Sequence, residues 1–181
     1  MPVKDHRIRI EHAQVLQPAD VPRFAELGVI ASWQWVHATL DMPWAEKRIG
    51  AERMATAYAW RTLLASGARM VGGSDEGART FSPFIGIHAA VTRQDAKGSP
   101  RGGWYPAQRL TREEALRSYT ADAAYVAFQE VRLGMLAPGK LADLAVLSRD
   151  IMTVRPEQIL GTEALLTMVG GQVVFERPPG M

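Results

Sequence analysis

Three short apolar segments, separated by segments with helical periodicity, each end in a histidine or an aspartate. The first ends at His12, the second at His37 and the third at Asp75. Strands that alternate with helices favour a parallel sheet, in which the carboxyl ends of neighbouring strands lie at one edge. The pattern therefore predicts an α/β fold with a site at that edge, built from polar groups on separate strands.

Side chains alternate along a strand, so each polar residue is expected to share a face with the residues two and four positions before it. The sets that share a face on this prediction are Ile8, Ile10 and His12; Trp33, Trp35 and His37; and Val71, Gly73 and Asp75. The prediction extends each strand as far as its histidine or aspartate.

The rest of the chain predicts four helices and a small β unit. Helical signals cover residues 18–27, 51–66, 84–92 and 111–128, with a loop expected over 38–44. Thr111 and Glu114 have the spacing of a capping box, which marks the start of the last helix. A strand at 142–147 and a hairpin with a Gly-Gly turn at 165–175 follow. We therefore expect a βα domain over residues 1–130 and a β domain over 131–181.

The composition narrows the functional classes. The 181 residues include no cysteine, which excludes disulfides and thiolate metal sites. The net charge is only +2 and the basic residues are scattered, so we expect neither a nucleic-acid partner nor a membrane partner. No apolar run approaches the roughly 20 residues of a membrane span, and the first residues are polar, so we expect a cytoplasmic protein.

Five segments together carry a resemblance to a known family. They are Arg-Ile-Glu-His-Ala-Gln at 9–14, Gly-Val-Ile-Ala-Ser…Gln…His-Ala-Thr at 28–39, Gly-Ser-Asp at 73–75, Ala-Ala-Val-Thr-Arg-Gln at 89–94 and Leu-Ala-Pro-Gly-Lys-Leu-Ala-Asp-Leu-Ala-Val-Leu at 136–147. This set resembles the amidohydrolase superfamily, above all the branch called amidohydrolase family 3, which includes N-substituted formamide deformylases.

The resemblance implies a metal-dependent hydrolase on a (β/α)₈ barrel with a small β-sandwich. It covers only the last three βα units of such a barrel and the end of the sandwich, so we expect a partial barrel. It further implies that His12 is a metal ligand and that Asp75 binds metal and takes a proton from the attacking water. His37 is expected either to complete the metal site or to act on the substrate. The expected cofactor is a divalent metal, zinc or manganese, because both accept imidazole and carboxylate ligands.

The sequence departs from the family pattern near two of these residues. Trp33 and Trp35 stand where the family usually has Met and Pro, and Glu76 to Arg79 stand where it usually has Phe-Pro-Val-Glu. We expect Trp33, Trp35 and Arg79 to contact the substrate, with core packing as the alternative for the two indoles and plain solvation for the arginine. Glu76 is a second candidate for the catalytic base, with a solvated carboxylate as the alternative.

Three parallel strands cannot close a barrel, and their free edges invite association, so we expect a homo-oligomer. The leading prediction of function is a metal-dependent hydrolase of a small amide, ester, lactone or phosphoester. Two alternatives remain open at this point. The chain could be a non-catalytic fragment that associates with itself, or one half of a split amidohydrolase.

Overall fold

The computed structural model of the protein describes residues 5–75 and 81–178. Within these residues the strands form two three-stranded sheets, one parallel and one antiparallel. The strands are β1 Arg9–Glu11, β2 Ile30–Gln34, β3 Met70–Gly73, β4 Leu144–Leu147, β5 Ala164–Val169 and β6 Gln172–Glu176. The helices are α1 Val21–Leu27, α2 Val36–Asp41, α3 Ala45–Ile49, α4 Ala51–Met54, α5 Trp60–Ala65, α6 Pro83–Thr92, α7 Arg112–Tyr119 and α8 Ala121–Val126. Short 3-10 turns cover Pro18–Asp20, Pro106–Gln108 and Pro156–Gly161.

The parallel sheet has the order β1-β2-β3, so consecutive strands are neighbours. Glu11 pairs with Ser32, and Gln34 pairs with Gly73, which brings the carboxyl ends of the three strands to one edge. The predicted α/β class is therefore confirmed, and so is the side-by-side arrangement of the three strand ends.

The prediction that each strand continues to its histidine or aspartate is wrong. The strands end at Glu11, Gln34 and Gly73, before the polar residues. His12 has a φ of 68° and Asp75 a φ of 59°, in the left-handed region that a pleated strand excludes. His37 lies in the first turn of α2 and not on a strand, and the same helix covers residues 38–41 of the loop predicted over 38–44.

The helices predicted over 51–66 and 111–128 are each interrupted. The first breaks between α4 and α5, where Tyr58 donates its backbone N–H to the Gln14 carbonyl at 2.7 Å and Ala57 bridges Val15. The second breaks at Thr120, whose backbone leaves the helical region between α7 and α8. Hydrogen bonds to a distant segment outweigh local helix propensity at the first break, which is why the sequence pattern alone missed it.

Several local signals predicted the structure correctly. Helix α1, preceded by the turn Pro18–Asp20, and helix α6 form where the periodicity placed them. Thr111 and Glu114 exchange both hydrogen bonds of a capping box. Strands β5 and β6 are joined at Gly170 and Gly171, which have φ of 57° and 82°, as a primed two-residue turn requires.

Three tryptophans form the centre of the core. Trp60 packs edge-on against Trp35 and Trp33, with ring centroids 5.0 and 6.1 Å away, and the latter two stack at 6.2 Å. The guanidinium of Arg93 lies 4.2 Å from the Trp60 ring and is itself buried. Each aromatic pair contributes roughly 0.5–1.5 kcal/mol beyond the burial of its area.

The chain after α8 is bound unevenly to this core. Ile151 and Ile159 are buried in the same cluster as the tryptophans, and Arg112 donates to the carbonyls of Ile151 and Val154. Strand β6, in contrast, is exposed throughout. The division at residue 130 stays a prediction. In the two described ranges, no helix combines the length and the apolar character that a membrane span needs.

The capping box of α7 predicts an acid-sensitive contribution to stability. Glu114 accepts two hydrogen bonds from Arg61, at 2.7 and 2.6 Å, and this contact lowers its pKa from 4.5 to about 2. Since the folded carboxylate titrates below the unfolded one, its stabilisation is complete above 4.5 and is lost as the pH falls towards about 2. Glu114→Gln keeps the cap but removes the charge, so it is expected to lower the free energy of unfolding at neutral pH. Denaturant titrations at a series of pH values should show this deficit shrinking below pH 4.5, and a pH-independent deficit would contradict the assignment.

Candidate metal centre

Three polar side chains converge at the carboxyl edge of the parallel sheet. His12 follows β1, His37 lies on α2 directly after β2, and Asp75 follows β3. Each offers one ligand atom, and these three atoms all lie within 4.8 Å of one another. Among the described residues this is the cluster of histidine and carboxylate groups that could hold a metal ion. The sequence therefore named the residues that the fold brings together.

The two imidazoles and the carboxylate have defined contacts. The rings of His12 and His37 stack with centroids 5.3 Å apart and planes 5° from parallel. The Nε2 atom of His37 lies 3.3 Å from Oδ2 of Asp75. The side chain of His37 is only 13% exposed, whereas that of Asp75 is 39% exposed, so the carboxylate forms the open side of the cluster.

The electrostatics favour a neutral His37. Burial lowers the pKa of its imidazole below the ordinary 6.5, because a charged ring would lose hydration. The carboxylates of Asp41 and Asp75 raise the same pKa and His12 lowers it, and burial remains the largest cause. A neutral imidazole is the form that coordinates metals, so His37 needs no deprotonation near neutral pH to serve as a ligand.

The donor set fits a zinc or manganese ion. Ligand atoms of a tetrahedral zinc ion are about 3.3–3.6 Å apart, given bonds of about 2.0–2.2 Å. The 3.3 Å between Nε2 of His37 and Oδ2 of Asp75 matches this spacing, and all three ligand atoms lie within 4.8 Å of one another. Three ligands with an open side also correspond to a catalytic site more closely than to a closed structural one.

A hydrogen-bonded group that sequence reasoning missed lies beside the cluster. Oδ2 of Asp41 accepts hydrogen bonds from the Tyr58 hydroxyl and from Nε2 of Gln14, both at 2.7 Å. The sequence held part of the signal, because Gln14 lies two residues after His12 and Asp41 one helical turn after His37. Tyr58 carried no such signal in the sequence, since only the tertiary fold brings it to Gln14 and Asp41.

Trp33 and Trp35, which the sequence analysis assigns to substrate contact, are buried in the core. The two side chains are 1% and 0% exposed, so they offer a substrate no surface. The alternative, core packing, describes their position. Nε1 of Trp35 donates to Ser118 Oγ at 3.2 Å, and a Cβ at Gly72 would come within 2.4 Å of that indole nitrogen. The absence of a side chain at Gly72 on the neighbouring strand thus leaves room for the Trp35 indole.

The remaining two site predictions concern residues of the segment after Asp75. Glu76, as a base, and Arg79, as a substrate contact, both lie outside the described ranges 5–75 and 81–178. Their functional assignments stay predictions.

Comparison with known proteins identifies relatives across nearly the whole chain. A protein-family model described as "Amidohydrolase family" matches residues 1–175 of the chain. The Bacillus subtilis protein YtcJ is 34% identical over 169 residues, which are 93% of this chain and 32% of that protein. An N-substituted formamide deformylase from Arthrobacter pascens is 29% identical over 177 residues, 96% of this chain and 32% of the enzyme. The chain thus spans about a third of the length of these relatives.

A solved structure shows a similar fold over most of this chain. An uncharacterized metal-dependent hydrolase from Pyrococcus horikoshii superimposes with a TM-score of 0.71 at 30% sequence identity. The superposition covers 82% of this chain and 30% of the hydrolase. The arrangement of strands and helices described above is therefore one that occurs in a larger hydrolase fold.

The contact between His37 and Asp75 predicts a measurable titration. In metal-free protein, NMR titration should give His37 a pKa below 6.5, because burial dominates. Asp75→Asn removes a carboxylate that raises this pKa and should lower it further. A His37 pKa that rises in the variant, or does not move, would contradict the geometry. His88 provides the internal control and should titrate unchanged, because its pKa is lowered by burial and raised by Asp95 and Glu157, not by Asp75.

Proposed function

Because the chain belongs to the amidohydrolase family, we propose that it contributes a divalent metal centre for hydrolysis, with His12, His37 and Asp75 as ligands. The observation that carries the proposal is the convergence of three donor atoms, within 4.8 Å, from three separate strand ends. The arrangement combines two stacked imidazoles with a carboxylate 3.3 Å from one of them. Zinc is the first candidate for the ion and manganese the second, on the chemistry of the donors.

The proposed division of work follows from exposure and charge. A bound divalent ion would supply the Lewis acidity that activates water and polarises the bond to be cleaved. His12 and His37, whose rings are stacked, are the proposed imidazole ligands, and burial keeps His37 neutral. Asp75 is the proposed base, because its carboxylate is the exposed member of the cluster and can accept a proton from water on the open side. Glu76 is the second candidate for that base.

The substrate class proposed is an amide, ester, lactone or phosphoester of a small molecule. We further propose that the sheet β1-β2-β3 with its helices is an arc of a (β/α) barrel. The parallel order and the site at the carboxyl edge support this proposal, since both are features of such barrels. The alternative is a split amidohydrolase, in which a second polypeptide supplies the rest of a barrel to which the described residues contribute three parallel strands.

We also propose that the chain self-associates through β1. Strand β1 is an outer strand of its sheet, and Ile10 on it and Ile8 just before it are 47% and 59% exposed. Arg9 and Glu11 flank Ile10 and already form an ion pair within the chain. In an antiparallel pair of two β1 strands centred on Ile10, Arg9 of one copy would face Glu11 of the other, so a second copy complements the charge of this edge.

Metal content provides the first test of the function. Wild-type protein loaded with zinc and desalted should retain about one ion per chain, as expected for a tetrahedral site. His12→Ala, His37→Ala and Asp75→Ala should each weaken zinc binding by more than the roughly 10–100-fold that changes outside the ligand set cause. Plasma mass spectrometry and a competition titration with a chromogenic chelator measure both quantities. Hydrolysis of a panel of amides, esters, lactones and phosphoesters should be lost in parallel.

His6→Ala is the matched control for these substitutions. It also removes an imidazole, but one that contacts the Leu27 carbonyl and lies outside the cluster. Zinc content and hydrolysis should therefore stay at the wild-type level. Metal-free wild-type protein, or activity that survives all three ligand substitutions, would refute the proposed site.

Light scattering of charge variants tests the association through β1. Arg9→Glu places two acidic residues against each other across the proposed pair and should shift the protein towards monomer. Arg9→Glu combined with Glu11→Arg exchanges the charges and should restore the association. A wild-type monomer at all concentrations, or variants that leave the mass unchanged, would refute this interface.

A further inference from the structure

A carboxylate that is not part of the metal cluster links its two histidine segments. Oδ2 of Asp41 accepts hydrogen bonds from the Tyr58 hydroxyl and from Nε2 of Gln14, and the latter atom also lies 3.3 Å from the Tyr58 oxygen. Tyr58 is buried. Three side chains from three separate segments therefore meet at a single carboxylate oxygen.

Each of the two histidines is close in sequence to a residue that takes part in these hydrogen bonds. Gln14 is two residues after His12, and Asp41 is four residues after His37 on the same helix, hence on the same face. Tyr58 binds the first of these segments a second time, since its backbone N–H donates to the Gln14 carbonyl at 2.7 Å. The position of one imidazole relative to the other thus depends on contacts at Asp41.

The core holds Tyr58 in place. Nη1 of Arg93 donates to the Tyr58 carbonyl at 2.9 Å, and Nε donates to the Trp104 carbonyl at 2.8 Å. Its guanidinium stacks on Trp60 and is buried. Tyr58 has a φ of 49°, a conformation that needs such support in a residue with a bulky side chain. The tyrosine is therefore a fixed point against which Asp41 and Gln14 are set.

We infer that Asp41 is a positioning residue, which fixes the His12 and His37 rings against each other by binding Gln14 and Tyr58. The consequence for metal affinity rests on the proposed function, because it requires those two rings to be ligands. The consequence for ring geometry does not rest on it. Residues beyond the ligands that orient them are known to set metal affinity in this way.

The first experiment measures ring geometry in metal-free protein. The chain has four histidines, so the ring signals of His6, His12, His37 and His88 can be assigned by substitution. Wild-type protein should show cross-relaxation between the ring protons of His12 and His37, whose centroids are 5.3 Å apart. Asp41→Ala should abolish this effect and shift both signals, while the signals of His6 and His88 stay unchanged.

Two milder substitutions separate hydrogen bonding from charge and guard against loss of folding. Asp41→Asn keeps an acceptor oxygen where both hydrogen bonds converge, so it should preserve the contact between the rings. Tyr58→Phe removes the hydroxyl donor to Asp41 but keeps the aromatic ring of residue 58. It should weaken the contact between the two imidazole rings. In a double-mutant cycle, Asp41→Ala and Tyr58→Phe should be strongly non-additive, because both remove the same interaction.

Zinc affinity is the second readout. Asp41→Ala should weaken zinc binding by about 10–100-fold, and Asp41→Asn should stay within about 3-fold of wild type. Thr111→Ala is the control for general destabilisation, because it removes the cap of α7 far along the chain from the cluster. It should lower thermal stability but leave zinc affinity unchanged.

The outcomes separate this inference from the proposed function. Ring contact and zinc affinity that both survive Asp41→Ala and Tyr58→Phe would overturn the positioning assignment. Equal losses in Thr111→Ala would overturn it too, since they would reflect stability alone. Wild-type protein that binds no zinc would refute the proposed function, while the loss of ring contact in Asp41→Ala would still support the positioning of the two rings.

Discussion

The packing of Trp60 between the strand-end tryptophans and Arg93 is the interaction on which the rest of the structure depends. Trp60 lies edge-on against Trp33 and Trp35, and the guanidinium of Arg93 stacks on its ring. Among residues 5–75 and 81–178 no carboxylate pairs with the buried guanidinium of Arg93, and burial lowers its pKa to about 9. The cost of this burial is offset by stacking on two indoles and by two carbonyl acceptors, those of Trp104 and Tyr58. Because one of those carbonyls belongs to Tyr58, the core and the site are joined through a single side chain.

The cluster of His12, His37 and Asp75 is held by backbone that is locally unfavourable. His12 and Asp75 adopt positive φ, and so does Tyr58 beside them. Non-glycine residues in such regions cost roughly 1–3 kcal/mol each and persist only where surrounding contacts over-determine them. Here the surrounding contacts are the hydrogen bonds at Asp41 and the pairing of residues 14–16 with 56–58. The positive φ angles bring to the sheet edge the side chains of His12 and Asp75, which an extended strand would direct elsewhere.

The same molecule leaves much apolar surface uncovered away from the core. Ile8 and Ile10, at and just before β1, and Val173, Val174 and Phe175 on β6 are all largely exposed. Edges and faces of this kind are the usual places where further polypeptide packs, whether from another copy or from another chain. The well-packed centre and the exposed margins lie within one chain of 181 residues, so stability and association are expected to be closely linked.

The sequence by itself determined the α/β class, the convergence of His12, His37 and Asp75, the capping box of α7 and the Gly-Gly hairpin. These features follow from local rules: alternation of apolar segments, side-chain capping over three residues and positive φ at glycine. Only the tertiary structure decided that His37 lies on a helix, that residues 51–66 form two helices and that Trp33 and Trp35 are buried. It alone brought Tyr58 to Asp41. The reason is physical, because each of these outcomes depends on contacts between segments distant in sequence, whose energies outweigh local propensity and leave no periodic signal in the chain.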